Sequence, residues 1–415
     1  MPDLLQDLSH RSSRAARAHQ AFLASRSAGL QQFASLLQLQ QRVLTGQPAA
    51  SSPARTPAMF STGDLEEFAT GSMARCFGPE FEVFSGRRHP RIPNGDLMLI
   101  SRVISIEGVR GKHDQPAEIL SEYDVPSTAW FLDPANPVIP ISILMEISLQ
   151  PCGLLSAYLG TALIAPEIDF FFRNLDGQCQ LMANPDLRGQ TITCRARQLS
   201  TISSGTTIIQ RYTFELSSNS QPFFKGETAF GYFSPDAMSR QAGLDSGGST
   251  APLGAPPQPS AVDLPLQPVY RSLDRRLQLV DAAQFVLGAG KHGGGLVCAQ
   301  KALSPNAWYY PCHFLGDPVM PGSLGVEAIF QALQAYARSV FPGLPGRWVN
   351  TTDQPMSWKY RGQVLQQHQA LQIEIHLRPP AQNSPSIALS GDASLWVDGD
   401  RIYEIKQAGI SLQKE

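Results

Sequence analysis

The stretch that decides the fold is WYYPCHFLGDPVMPGSLGVEAIFQALQAYARSV, at residues 308–340. Its first part is typical of a loop and contains a lone histidine, His313, shortly before the pair Pro321-Gly322. The part that follows is strongly apolar, which predicts a buried helix. Glu327 interrupts this apolar run, although a carboxylate is costly to bury without a partner or a task. The pattern therefore predicts an active-site loop followed by a buried helix that carries one acid.

The bulk composition indicates an ordinary globular protein. The 415 residues, 42% of them hydrophobic and 16% charged, are enough for two or three domains with buried cores. A formal net charge of −2 gives no general attraction to nucleic acid or to an anionic membrane, so neither is an expected partner. The longest apolar stretch, residues 138–164, contains Glu146, Gln150 and Pro151, which favours a protein core over a membrane span.

Targeting and metal signals are missing from the sequence. The N-terminus has no apolar core behind a basic start, so we expect a cytoplasmic protein without a secretory signal. The cysteines form no CxxC pair and no Cys/His spacing of a tetrahedral metal site, which predicts reduced thiols, no metal and no cofactor. They are Cys76, Cys152, Cys179, Cys194, Cys298 and Cys312.

Two linkers divide the chain. Residues 46–58 are rich in Pro, Ala and Ser, and residues 236–262 are dense in Gly, Pro and Ser. We therefore predict a helical arm with its linker at residues 1–58, a first domain at 59–235, a second linker at 236–262, and a second domain at 263–415.

The N-terminal arm has its own pattern. Residues 3–45 place Leu, Ala and Phe at helix-like spacing among Gln, Arg and Ser, which predicts an amphipathic helix or helical pair. Such a helix packs on its own domain, on a second copy of the chain or, as a further alternative, on a partner protein.

The first domain carries a degraded copy of the pattern in the second domain. The motif Pro137-Val138-Ile139-Pro140 matches Pro318-Val319-Met320-Pro321. An acid and a glutamine then follow each motif at the same spacing from the last proline. These residues are Glu146 and Gln150 in the first copy and Glu327 and Gln331 in the second.

Strand-like segments follow each apolar helix, and Asp398-Gly399 is a hairpin signal. A long apolar helix followed by several strands, occurring twice, predicts the α+β class. The predicted strands are residues 191–199, 206–216 and 223–233 in the first copy and 370–377, 386–397 and 401–412 in the second.

The segment from His313 to Gln331 resembles the dehydratases of the FabA/FabZ family, which remove water from 3-hydroxyacyl chains carried on acyl carrier protein. In that family a His-Phe pair precedes Met-Pro-Gly, and an acid and a glutamine follow on the next helix. The resemblance continues through residues 362–365 and 397–399 to Tyr403, so it spans the C-terminal third. The matching motif residues are His313, Met320, Pro321, Gly322, Glu327 and Gln331.

This resemblance implies a hotdog fold, in which an antiparallel sheet wraps around a central helix. Two copies in one chain imply two hotdog domains side by side, similar to the tandem dehydratase regions of polyunsaturated fatty-acid synthases. Residues 172–177 and 187–189 resemble the catalytically incomplete half of those regions. The expected architecture is therefore a double hotdog with an N-terminal helical arm.

Dehydration of a 3-hydroxyacyl thioester requires a base, an acid and a donor that polarises the thioester oxygen. His313 suits the base, because neutral imidazole is abundant near neutral pH. A carboxylic acid can give its proton to the departing hydroxyl, and burial on an apolar helix favours that protonated form. Gly322 stands at the predicted first helical turn, where free N–H groups and the helix dipole can stabilise an oxyanion.

In single-domain relatives the histidine and the acid of one site come from opposite partners of a dimer. The resemblance therefore implies that His313 meets Glu146 of the first copy. The first-copy loop between Trp130 and Pro137 contains no histidine, which leaves Glu327 without a base. We expect one competent site, built from His313, Glu146 and Gly322, and one vestigial site lined by Glu327 and Asp133.

Other residues have plainer interpretations. Glu146 could instead cap a backbone group or pair with a cation such as Arg173. Gln150 and Gln331 are expected to support the acids through hydrogen bonds. Four aromatic residues of the second copy are predicted to form the core or the wall of the acyl channel. They are Trp308, Tyr309, Tyr310 and Trp358.

The expected function is the dehydration of 3-hydroxyacyl groups on acyl carrier protein to trans-2-enoyl groups, in fatty-acid, polyunsaturated fatty-acid or polyketide-type biosynthesis. One alternative is a dehydratase that also makes cis-3-enoyl products, and another is a non-catalytic scaffold that binds the acyl carrier. Partners would be the carrier with its phosphopantetheine arm, and other synthase subunits or a second copy. Two basic groups could guide the acidic carrier: Arg87, Arg88, His89 and Arg91, or Arg347, Lys359 and Arg361.

Overall fold

The computed structural model describes residues 57–134, 136–248, 252, 261–264, 266, 275–379 and 387–413. The contacts between residues group Ala58–Glu415 into one compact unit. The predicted helical arm at residues 3–45 lies outside the described residues, and the predicted domain boundaries stay predictions.

Two long buried helices, α3 (Ile141–Tyr158) and α5 (Gly322–Val340), form the centre of the described fold. Each begins directly after a proline with extended backbone, Pro140 or Pro321. Almost every side chain of α3 is buried, as expected for a helix that is apolar on all sides. The two helices contact each other.

The shorter helices flank this pair. Helix α1 begins at a capping box, in which the Ser61 hydroxyl accepts from the Asp64 N–H and the Asp64 carboxylate accepts from the Ser61 N–H. The shorter helices are α1 (Thr62–Thr70), α2 (Met73–Phe77) and α4 (Pro235–Ser239), with 3₁₀ turns at Pro79–Phe84, Gly95–Leu97, Thr161–Ile164 and Arg275–Leu277.

The strands of the described residues form one sheet of 14, and every pairing in it is antiparallel. The strands are β1 (Arg102–Glu107), β2 (Ala117–Asp124), β3 (Phe171–Leu181), β4 (Thr191–Ser204), β5 (Thr207–Ser218), β6 (Gln221–Phe233), β7 (Ala261–Asp263), β8 (Ala282–Val286), β9 (Leu296–Ala302), β10 (Arg347–Asn350), β11 (Pro355–Tyr360), β12 (Ala370–Leu377), β13 (Ala388–Val397) and β14 (Asp400–Gln413).

The strand order repeats the internal symmetry of the sequence. From the centre outward, one half runs β3-β6-β5-β4-β2-β1 and the other runs β11-β14-β13-β12-β9-β8-β7, and β10 pairs with β14 beside this path. The halves join through β3 and β11, where Trp358 pairs with Gly177. Strands β2, β4 and β5 contact α3, and strands β8, β9, β12, β13 and β14 contact α5. Each helix is thus wrapped by its own half of the sheet, which confirms the predicted double hotdog of the α+β class.

The apolar segment Ile141–Ile164 belongs to the core. It is long and apolar enough to cross a membrane by length and composition alone, but 83% of its apolar window is buried inside the protein. This burial agrees with the interpretation of residues 138–164 as a protein core.

Candidate active site

The first turn of each central helix binds the acid of the other helix. The Ser323 hydroxyl, in the first turn of α5, donates to Glu146 Oε1 at 2.6 Å. The Ser142 hydroxyl, in the first turn of α3, donates to Glu327 Oε2 at 2.7 Å. Each acid is therefore held at the N-terminus of the opposite helix, where N–H groups without helical partners and the helix dipole lie.

A glutamine supports each acid from the same helix face. Gln150 donates through Nε2 to Glu146 Oε2 at 2.9 Å and to the Leu97 carbonyl at 2.8 Å, and its Oε1 accepts from the Leu99 N–H at 2.9 Å. Gln331 makes the equivalent contacts with Glu327, the Leu277 carbonyl and the Leu279 N–H. Both glutamines thus tie an acid to a neighbouring loop.

The His313 side chain is oriented by a backbone carbonyl. Its Nδ1 lies 3.1 Å from the Val319 oxygen. A carbonyl oxygen only accepts, so Nδ1 carries the hydrogen and the lone pair of neutral imidazole is on Nε2. The Val319 N–H donates to the His313 carbonyl at 2.8 Å. The two residues are therefore joined by two hydrogen bonds, which hold the ends of the loop together. The sequence alone does not reveal the bond of Nδ1, because a main-chain acceptor has no side-chain signature.

The surroundings of His313 favour its neutral form. Burial lowers the pKa of His313 below the ordinary value of 6.5, and the Glu146 carboxylate opposes this shift by favouring the imidazolium. An imidazole whose pKa is depressed stays available as a base near neutral pH.

His313, Glu146 and Gly322 line one cavity between the halves. Its empty volume, including the opening to solvent, is about 890 Å³. Glu146, Gln150 and Gly153 lie along one face of α3 in this cavity, and at a rise of 1.5 Å per residue they span about 10 Å. The apolar part of the wall includes Leu149, Phe172, Phe230, Val319 and Met320.

Gly322 leaves the first turn of α5 accessible from the cavity. A Cβ atom at this position would lie 2.7 Å from Cε2 of Tyr360, so no side chain fits without moving that ring. No hydrogen bond joins the Gly322 N–H to another described residue. The N–H is therefore a free donor at the positive end of a helix.

An ion pair joins the histidine loop to the first half. Arg173 of β3 donates to both Asp317 oxygens at 2.7 Å and to Gln363 Oε1 at 2.7 Å. The side chains of Arg173 and Asp317 are only 11% and 14% exposed. Arg173 thus pairs with Asp317, and the alternative in which it neutralises Glu146 is wrong.

The C-terminal half matches a known family. Residues 273–406 match the family model described as the FabA-like domain. This half carries a FabA-like domain. The match spans the whole His313–Gln331 motif and extends to the middle of β14.

The similarity to one curated protein covers both halves. The chain is 33% identical over 382 residues to a polyunsaturated fatty acid synthase subunit of Thraustochytrium sp., and the alignment covers 84% of this chain and 26% of that relative. The chain therefore spans about a quarter of the length of the curated protein that it matches.

Two solved structures match this chain at low sequence identity. The dehydratase-cyclase domain in ambruticin biosynthesis superposes with a TM-score of 0.43 at 13% identity, covering 75% of this chain and 95% of that chain. The dehydratase domain from the terminal module of the rifamycin polyketide synthase gives a TM-score of 0.40 at 12% identity, covering 78% and 98%.

The first half differs from the FabA-like half at the corresponding helix start. Ile141 occupies the place of Gly322, and its side chain is buried at the first turn of α3. Glu327, which faces this turn, is 1% exposed and is absent from the wall of the His313 cavity. Asp133 is also buried, in a short loop whose backbone pairs with Asn136. A vestigial site lined by Glu327 and Asp133 stays a prediction.

The first basic cluster is structural. Arg87 binds Asp169 and the carbonyls of residues 166 and 167, while Arg91 donates to the carbonyls of residues 68 and 71. His89 is buried. These side chains join segments of the first half, and their role in guiding a carrier stays a prediction. In the second group, Arg361 donates to the Leu175 carbonyl and pairs with Asp176.

The aromatic residues Trp308, Tyr309, Tyr310 and Trp358 belong to the core, which was one of the two predicted places for them, and not to the cavity wall. Trp358 donates to Asn174 Oδ1 at 2.7 Å and packs over Gly177. It therefore packs across the pairing of β3 with β11. Trp308, Tyr309 and Tyr310 also pack outside the cavity wall. The aromatic residues that line the cavity are Phe172, Phe230, Phe314, Tyr360 and Tyr403.

Proposed function

We propose that this chain dehydrates 3-hydroxyacyl thioesters carried on acyl carrier protein to trans-2-enoyl thioesters. The observation that carries the proposal is the shared cavity of His313 and Glu146, which come from different halves, beside the free helix start at Gly322. The FabA-like domain that contains His313 supports the same reaction class.

In the proposed reaction, His313 Nε2 takes a proton from C2 of the acyl chain. The electrons of the C2–H bond form the C2–C3 double bond as the C3–O bond breaks. Glu146, in its protonated form, gives its proton to the departing hydroxyl, which leaves as water. The proton held by His313 then passes to Glu146, directly or by exchange through solvent, so both groups return to their starting forms.

Charge that develops on the thioester oxygen needs a donor. The Gly322 N–H is unpaired within the described residues and stands at the positive end of α5. A fixed donor of this kind in a largely apolar cavity stabilises an oxyanion more than water does. We assign this role to Gly322.

Ser323 and Gln150 hold the acid in place. They bind different oxygens of Glu146, so the carboxyl group cannot rotate without losing one of these bonds. This arrangement fixes the orientation in which Glu146 meets the substrate hydroxyl. Fixed orientation is a major part of general acid catalysis.

The setting of the reaction is also a proposal. The chain spans about a quarter of the related synthase subunit. We propose that it acts in the cytoplasm with an acyl carrier protein and with other synthase activities of a fatty-acid or polyketide type. The acyl chain would lie along the apolar face of α3 between Glu146 and Gly153.

The direct experiment is incubation of the purified chain with 3-hydroxyacyl carrier-protein substrates of several lengths, with the products analysed by mass and by double-bond geometry. We expect trans-2-enoyl product from the wild type and a rate lower by about 10²–10⁴ for His313→Ala. Absence of turnover at every chain length, or full activity of His313→Ala, would reject the proposed function. A cis-3-enoyl product would identify an additional isomerase step.

A further inference from the structure

The hydroxyl group of Tyr360 is buried and has no hydrogen-bond partner among the described residues. Tyr360 is 6% exposed and lines the same cavity as His313 and Glu146. Buried hydroxyl groups in folded proteins nearly always have a partner. Because Tyr360 also lines the cavity, a bound ligand can supply the partner that its hydroxyl lacks.

The ring of Tyr360 lies against the start of α5. Its Cε2 and Cζ atoms are 2.7 and 3.1 Å from the position that a Cβ atom of Gly322 would occupy. The hydroxyl is attached to Cζ, so it lies at the same helix turn whose free N–H faces the cavity. The Tyr403 ring packs against that of Tyr360, with ring centroids 4.3 Å apart, and helps to hold it in this position.

The electrostatic setting keeps the hydroxyl protonated. Burial raises the pKa of Tyr360 well above its ordinary value of 10, and the nearby Tyr403 and Glu146 act in the same direction. A neutral phenol that cannot ionise is a hydrogen-bond donor to an acceptor that carries negative charge.

Stability alone gives no reason for this hydroxyl. A buried polar group without a partner costs about 1–3 kcal/mol of stability, whereas Phe would fill the same space without that cost. The departing hydroxyl of the substrate already has Glu146 as its donor in the proposed reaction. The thioester carbonyl oxygen, which gains charge beside α5, is the acceptor that remains.

We propose that the Tyr360 hydroxyl donates a hydrogen bond to the thioester carbonyl oxygen and acts as a second oxyanion donor beside the Gly322 N–H. This inference rests on the proposed dehydration. It adds a catalytic residue from β11, a strand of the same half that supplies His313.

The test uses Tyr360→Phe, which removes the oxygen and keeps the ring. Loss of one oxyanion donor lowers kcat by about 10²–10³. We expect a decrease near the lower end of this range, a KM within about threefold of wild type, and an unchanged or higher melting temperature. Tyr310→Phe is the matched control: Tyr310 is a buried tyrosine, 1% exposed, that does not line the cavity, and we expect turnover of this variant to stay at the wild-type level.

A binding measurement separates an oxyanion contact from a structural effect. A saturated acyl-pantetheine thioester has the carbonyl oxygen, and the corresponding thioether lacks it. Tyr360→Phe should weaken binding of the thioester and leave binding of the thioether unchanged.

The outcomes distinguish this inference from the proposed function. Full turnover by Tyr360→Phe beside an active wild type, or equal weakening of both ligands, would overturn the role of Tyr360 alone. A lower kcat accompanied by a lower melting temperature and no difference between the ligands would also overturn it. An inactive wild type would overturn both proposals.

Discussion

The hydroxyl of Ser323 donates to Glu146 Oε1 at 2.6 Å, across the boundary between the two repeats. Ser142 makes the matching bond to Glu327 at 2.7 Å. The hydrogen bonds that hold the two acids are therefore nearly symmetric. The other groups that face the two acids differ. A histidine and a glycine helix start face Glu146, whereas Ile141 stands at the helix start that faces Glu327.

The first prediction concerns this serine. Ser323→Ala should lower kcat about tenfold, because Glu146 loses the bond that fixes its Oε1, and should reduce the free energy of unfolding by about 1–2 kcal/mol. Ser142→Ala removes the equivalent bond from Glu327 and is the matched control. It should cost similar stability and leave kcat unchanged. Equal losses of kcat in the two variants would show that Ser323 has no special role.

The second prediction concerns pH. Burial lowers the pKa of His313 below 6.5, so the neutral base persists below that pH and kcat/KM should begin to fall only on the acid side of pH 6.5. When Glu146 is ionised its carboxylate favours the imidazolium, so Glu146→Gln, which removes that charge, should lower the His313 pKa further. An NMR titration of the imidazole nitrogens measures both values. A wild-type pKa at or above 6.5, or an upward shift in Glu146→Gln, is inconsistent with this account.

The third prediction concerns the tie between β3 and the histidine loop. Arg173→Met leaves the partly buried Asp317 without its cation, and losing hydrogen bonds to a charged group costs about 1.5–3 kcal/mol. We expect a lower melting temperature together with a loss of kcat, because the loop that orients His313 is released.

A second buried arginine supplies the control for that variant. Arg102 is 13% exposed and pairs with Glu122 and Asp124 in the outer strands of the first half. Arg102→Met should reduce stability and leave kcat within about twofold of wild type. If both variants lose stability and neither loses kcat, Arg173 is only a structural residue.

Much of the fold follows from the sequence. Residues 370–377 alternate apolar and polar side chains, and the observed strand β12 has the predicted bounds. Pro, Glu and Gln recur at the same spacing in both copies and so reveal the repeat. They recur because each central helix begins after a proline and carries a buried acid supported by a glutamine. Strands that precede each helix, such as β2 and β9, are harder to predict, since polar residues interrupt their apolar pattern.

The site is less predictable than the fold. The motif predicts His313 and Gly322 as site residues, and the internal repeat predicts Glu146. The partners that position them are a main-chain carbonyl at Val319 and an ion pair between Arg173 and Asp317, which are 144 residues apart. Ser142 and Ser323 do carry a sequence signal, since each follows the motif proline by two positions.

Separate substitution of the two buried acids tests the central claim most directly. Glu146→Gln and Glu327→Gln keep the size of the side chain and its bond to the opposing serine, and differ only in which half loses its acid. With a 3-hydroxyacyl carrier-protein substrate, we predict a decrease in kcat of about 10²–10⁴ for Glu146→Gln and wild-type turnover for Glu327→Gln. Loss of turnover in Glu327→Gln with full activity in Glu146→Gln would contradict the pairing of His313 with the acid of the first half.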